Sequence, residues 1–136
     1  MALSGGGHMG GRLESRTDEG AAPTGAYSRG LVVGDFVHTP GLGPLDPKTG
    51  EVVGADVAEQ THQVMRTLGA ILAAHGLGFD DVVRSTVRLR CLKRDFTACN
   101  KVYKSYFTQP CPVRTTVGSD LTDILVEIDF VACKAR

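Results

Sequence analysis

Two charged side chains stand in β-rich, apolar runs where strand packing alone would favour something apolar. Arg114 lies within PVRTTVG, from Pro112 to Gly118, and Glu127 within ILVEID, from Ile124 to Asp129. A charge taken out of water without a partner is costly, so each must have either a partner or a task. As residue types, an arginine offers a planar fork of donors matched to a carboxylate, and a glutamate can handle protons and water. The bland alternative is a cross-strand ion pair between Arg114 and Glu127 on adjacent antiparallel strands. Pattern alone leaves both readings open.

Other chemically able residues carry weaker signals. Cys91, Cys99, Cys111 and Cys133 form no CxxC pair and have no histidine at zinc-finger spacing, which argues against a metal site. Cys91, Cys99 and Cys133 fall on patterned elements, where a reduced cysteine acts as a small hydrophobe. Only Cys111, in the loop Pro110-Cys111-Pro112, is a candidate reactive thiol, on its loop position alone. His38, His62 and His75 fall in a strand, in mid-helix and at a helix C-terminus. Surface exposure or a dipole contact accounts for them without catalysis.

The elements that must position Arg114 and Glu127 follow from hydrophobic period. Residues 1–22 are rich in Gly, Ser and charge and read as a flexible tail; GGGHM within them resembles an expression remnant. The domain then spans 23–136. Leu31–Val33 and Phe36–Thr39 flank Gly34-Asp35 as a hairpin. A Gly/Pro-dense loop follows, and Asp56 with Glu59 opens a helix over 56–75 that ends at Gly76. From Val83 to Cys91 the period becomes two, with Val83, Ser85, Val87, Leu89 and Cys91 on one face and Arg84, Thr86, Arg88 and Arg90 on the other. Asp95 is placed to cap a second helix with the stripe Phe96, Cys99, Val102, Tyr103 and Tyr106. Two strands close the chain, near 113–119 and 124–133. The order ββαβαββ predicts an α+β, two-layer domain: a mixed sheet with two helices on one face. Its uncovered sheet face predicts association with another subunit.

Composition sets limits. The 136 residues fit one domain, and 15 basic against 15 acidic side chains cancel to a net charge of +0. That argues against general attraction to nucleic acid or anionic membrane. No leader pattern and no long apolar stretch appear, so a soluble, cytoplasmic protein without membrane attachment is expected.

Taken in order, GAYS at Gly25 to Ser28, GPLDPKTGEVV at Gly43 to Val53, QTHQVMRTLGAIL in the long helix, DDVVRSTVRL at Asp80 to Leu89, DFTACNKVYKSYF at Asp95 to Phe107, PVRTTVG and LVEID are similar to one family. The chain from about Ala22 to Lys134 resembles the RidA/YjgF imine deaminases, formerly labelled endoribonuclease L-PSP or translation inhibitor proteins. The resemblance implies a chorismate-mutase-like fold, a homotrimer with clefts at subunit interfaces, and hydrolysis of 2-aminoacrylate and related 2-imino acids to 2-keto acids and ammonia without cofactor. By motif, Arg114 matches the residue that grips the substrate carboxylate and Glu127 the one that positions the attacking water. Tyr27 matches the tyrosine at the cleft rim, Gly41 the loop glycine, and Thr116 the position two after the arginine. The chain departs from the family at Pro40-Gly41-Leu42, where many members read SGQ, and in RCLKR, Arg90 to Arg94, which runs one residue long.

Two other functions compete. The ribonuclease label would draw on Arg84, Arg88, Arg90, Lys93, Arg94, Lys101 and Lys104, but such a run more often marks a solvated face, and no RNA-stacking aromatic motif or histidine pair accompanies it. A non-catalytic sensor of small carboxylates would use Arg114 and leave Glu127 without work.

Overall fold

The computed structural model describes residues 11–15, 20, 23 and 25–134. Six strands and two α-helices follow in the order β1 (Arg12–Glu14), β2 (Leu31–Val33), β3 (Phe36–His38), α1 (Val57–Ala74), β4 (Val82–Leu89), α2 (Leu92–Lys104), β5 (Val113–Gly118) and β6 (Val126–Cys133). The expected two-layer α+β domain is present, with one strand more than the predicted five. That extra strand, β1, lies inside the segment read as a tail. It pairs antiparallel with β2 through Leu13 opposite Val32, a register too short to leave a periodic signal. The remainder of the tail reading falls on 1–10, 16–19, 21 and 22, which are outside the described residues.

The sheet order is β1-β2-β3-β6-β4-β5. Strand β4 sits between β5 and β6, parallel to the first and antiparallel to the second. The two final strands, though consecutive in sequence, are therefore not neighbours.

Helix α1 begins where its cap predicts. Asp56 Oδ1 accepts from the Glu59 backbone N–H at 2.9 Å, Glu59 Oε2 accepts from Ala55 N–H at 3.0 Å, and Gly76 at φ +72° ends the helix. Its buried face, Val64, Met65, Leu68 and Leu72, packs on Val126, Ile128, Phe130 and Ala132 of β6, all at most 1% exposed. The strict alternation of β6 is thus a core face and an open face.

Four expectations need correction. Helix α2 starts at Leu92 with Cys91 as its cap position, so Asp95 lies within the first turns and binds Arg94 instead. Val83 is exposed because a bulge between Val82 and Arg84 shifts the phase of β4, leaving Val82 as the buried residue. His75 is 2% exposed, and its Nε2 shares a hydrogen bond of 2.7 Å with Ser15 Oγ, tying the residue after β1 to the end of α1. Cys91 and Cys133 are half-buried rather than core residues, while Cys99 is buried as expected. No helix among the described residues is long and apolar enough to cross a membrane.

Candidate functional site

Register decides which face each candidate takes. Arg114 pairs with Ser85, which is wholly buried beneath the helices, so Arg114 and Thr116 stand on the helix side of β5. Glu127 pairs with Arg88 on the open side of β6. The cross-strand ion pair between Arg114 and Glu127 therefore does not form: β4 separates them, and they face opposite sides of the sheet.

Around Arg114 the helix α2 builds a polar and aromatic wall. The guanidinium donates from Nη1 to Asn100 Oδ1 at 2.8 Å and lies over the rings of Tyr103 at 4.8 Å and Phe96 at 5.9 Å. Phe96, Asn100 and Tyr103 follow the i, i+4, i+7 spacing of one helix face, which is why all three reach the same side chain. Phe96 is 40% exposed and forms part of this wall, not of the core stripe. Arg114 is itself exposed, and among the described residues no carboxylate pairs with it. The adjoining cavity of about 320 Å³ is lined by Arg114 with Asn100, Tyr103 and Phe107 of the helix side and Cys111 and Pro112 of the loop before β5. Burial pushes the Tyr103 phenol above its ordinary value, with the neighbouring Ser85 hydroxyl and the Arg114 charge pulling the other way.

Glu127 has a different setting. The segment after β3 runs along β6: Thr39 N–H donates to Phe130 O at 3.0 Å, and Leu42 exchanges two backbone bonds with Ile128 at 2.9 and 3.1 Å. This lays Gly41 directly over Glu127, so closely that a Cβ at Gly41 would meet Oε1 at 2.5 Å. Gly41 also lines a small cavity with Tyr27, Pro40 and Leu42, and Tyr27 is 51% exposed at its rim. On the other side Arg88 Nη1 lies 3.8 Å from Glu127 Oε1 and donates to Asp129 Oδ2 at 3.3 Å.

The five expected site residues thus fall into two groups. Tyr27, Gly41 and Glu127 belong to one, Arg114 and Thr116 to the other. Two further residues belong to these groups: Asn100, on the Phe96–Tyr103 face of α2, beside Arg114, and Arg88, expected only on the wet face of β4 and in the basic run, beside Glu127. The basic run divides: Arg88 is tied to Asp129, while Arg90, Lys93 and Arg94 border one shallow basin beside Gly118, with Arg94 held by Asp95 through bonds of 2.9 and 3.0 Å. Among the described residues no three His, Cys, Asp or Glu side chains converge as a metal site requires.

Comparisons with known proteins agree with one another. A family model described as endoribonuclease L-PSP matches residues 18–134. A RutC family protein of Saccharolobus solfataricus is 43% identical over 121 residues, covering 88% of this chain and 95% of that protein. The chloroplastic Reactive Intermediate Deaminase A of Arabidopsis thaliana is 35% identical over 118 residues, covering 85% and 63%. Among solved structures, the E. coli YjgF gene product superposes with a TM-score of 0.82 at 34% identity, covering 90% of this chain and 99% of that one. E. coli TdcF with bound serine gives a TM-score of 0.82 at 31% identity with the same coverage. With the family model spanning nearly the whole described domain and these relatives matching along most of its length, the chain belongs to the endoribonuclease L-PSP family, the RidA/YjgF group that includes reactive intermediate deaminases.

Proposed function

We propose that this protein hydrolyses reactive 2-imino acids such as 2-aminoacrylate to 2-keto acids and ammonia, at clefts between the subunits of a cytoplasmic homotrimer. The observation that carries the reading is Arg114: an exposed guanidinium, oriented by a neutral acceptor and an aromatic ring, with no internal counter-ion among the described residues. A group built in this way is a receptor for a carboxylate. The serine found in TdcF also carries one.

Hydrolysis then needs a water at C2 of the imine. 2-Aminoacrylate first takes a proton from solvent at C3 and gives up one from nitrogen, becoming the imine 2-iminopropanoate. In the proposed reaction Glu127 takes a proton from the water as its oxygen bonds to C2, the C=N electron pair moves to nitrogen, and nitrogen takes a proton from solvent, giving a neutral carbinolamine. Protonated Glu127 then gives its proton to that nitrogen as the C–N bond breaks, the hydroxyl proton returns to solvent as the keto C=O forms, and ammonia leaves. A positioned carboxylate typically supplies about 100 to 10,000-fold. Because 2-aminoacrylate already decays in water, that gain suffices.

One subunit holds these two groups on opposite sheet faces, so the reaction requires Arg114 of one copy to meet Glu127 of another. A head-to-tail contact of this kind closes into a ring, and a homotrimer is the ring the family resemblance implies. Val113 at 61% and Val117 at 39% exposure, with Phe36 at 44%, supply apolar surface that such a contact would cover. The test is to generate 2-aminoacrylate with a serine dehydratase and time pyruvate release. Acceleration by the wild type but not by Arg114→Ala supports the proposal, and equal rates from the two would remove it.

A further inference from the structure

We infer that Arg88 is a positioning residue for Glu127, holding its Oε1 from the side opposite Gly41 so that Oε2 is the oxygen presented to the water. The inference rests on the deaminase reading above. Arg88 and Glu127 are direct partners in the β4–β6 ladder, and Asp129 is the next β6 residue on the same face. The guanidinium spans the two carboxylates, with Nη1 at 3.3 Å from Asp129 Oδ2 and 3.8 Å from Glu127 Oε1. On the β3 side of β6, Gly41 lies close enough to that same Oε1 that a Cβ there would collide with it. Neither Glu127 oxygen accepts a hydrogen bond among the described residues, so the charged contact with Arg88 is made through Oε1 alone and Oε2 is left for the water.

The Arg88 side chain is 37% exposed and that of Glu127 30%. Ion pairs so open to solvent contribute little to stability, so removing Arg88 should leave the fold intact and a change in rate can be read as lost orientation. Nor does Arg88 compete with Arg114 for the substrate carboxylate. Two carboxylates already neutralise it, whereas Arg114 faces a neutral amide oxygen. Removing Arg88 frees the Glu127 side chain to rotate, and misplacing a reacting group by about 1 Å costs on the order of a hundredfold in rate.

The experiment measures turnover of 2-aminoacrylate and affinity for pyruvate, the keto-acid product, in Arg88→Met, Arg88→Lys, Asp129→Asn and the double variant Arg88→Met/Asp129→Asn. The expected result is a fall in kcat of roughly tenfold to a hundredfold in Arg88→Met. KM and pyruvate affinity stay unchanged, Arg88→Lys recovers part of the rate, and the double variant is no worse than Arg88→Met alone, as for residues acting through one contact. Wild-type kcat in Arg88→Met would overturn the inference. So would pyruvate affinity falling in step with rate, since Arg88 would then touch the ligand or merely support the assembly. Arg88→Lys retains the charge and separates a folding failure from a lost contact. A wild type without turnover removes the deaminase reading and this inference together, whereas a working wild type with an unaffected Arg88→Met removes this inference alone.

Discussion

Arg114 and Glu127 stand on opposite faces of one sheet, with β4 running between their strands. If a working cleft takes Arg114 from one copy and Glu127 from the next, two inactive variants can repair each other. Arg114→Ala and Glu127→Gln, refolded together in equal amounts, should recover about one quarter of wild-type activity, because random cyclic assembly gives each cleft one half for each intact group. Measured separately, each is expected to be nearly inactive. No recovery on mixing would mean that no cleft joins those two groups across subunits.

The same two variants should fail differently. Arg114→Ala loses charge-assisted bonds worth about 1.5 to 3 kcal/mol each, so binding of pyruvate, followed by calorimetry, should weaken at least tenfold. Glu127→Gln should keep that affinity and lose about 100 to 10,000-fold in kcat. A Glu127→Gln enzyme turning over at the wild-type rate would take the glutamate out of the chemistry and favour a carboxylate-binding role.

Gly41→Ala tests the contact between the loop and the glutamate. The backbone at Gly41 is not in the left-handed region, so alanine brings no strain there, but its Cβ would collide with Glu127 Oε1. The carboxylate end is flexible and can yield, so the thermal midpoint should scarcely move, within about 0.5 kcal/mol, while kcat drops roughly tenfold or more. Differential scanning calorimetry and steady-state kinetics on one preparation give both readings.

His75 makes stability depend on pH. Burial holds its imidazole below the ordinary value of 6.5, so the unfolded chain binds the extra proton first as pH falls. The contribution is fully present above that value and is lost as pH drops from there towards the lowered folded value. Urea midpoints should therefore fall between pH 7.5 and pH 5.5, and His75→Gln should flatten the curve. A wild-type midpoint that rises on acidification would contradict the assignment.

Thiol labelling should sort the cysteines by environment. Cys111 is exposed beside the Arg114 cavity and should react first, with pyruvate slowing it. Burial pushes the Cys99 thiol above its usual range, so it should react only when the protein unfolds. Mass spectrometry of timed samples checks the order.

Much of this architecture could be read from residue patterns. The alternation of β6 and the Asp56–Glu59 start of α1 are local signals, and both appear in the structure as expected. Pairing between β5 and β6 was the natural guess for consecutive strands, but strand order depends on which partners cover the core, information that no local pattern holds. The bulge at Val83 and the three-residue β1 escaped for a related reason, since each is defined by a partner strand. At the site, Arg114 and Glu127 stood out as charges in apolar runs. Asn100 and Arg88 did not, because a polar residue on a helix or on the wet side of a strand is unremarkable until its contacts are known.

The margins of the sheet carry one more implication. On one side the last strand is only Arg12–Glu14, short and exposed at both charged ends. Brevity and charge at an edge discourage other chains from adding on by backbone pairing, the route that leads to fibres. The opposite margin, β5, is twice as long and carries Val113 and Val117 exposed, so the subunit contact proposed above would close by side-chain packing the one edge that brevity does not protect.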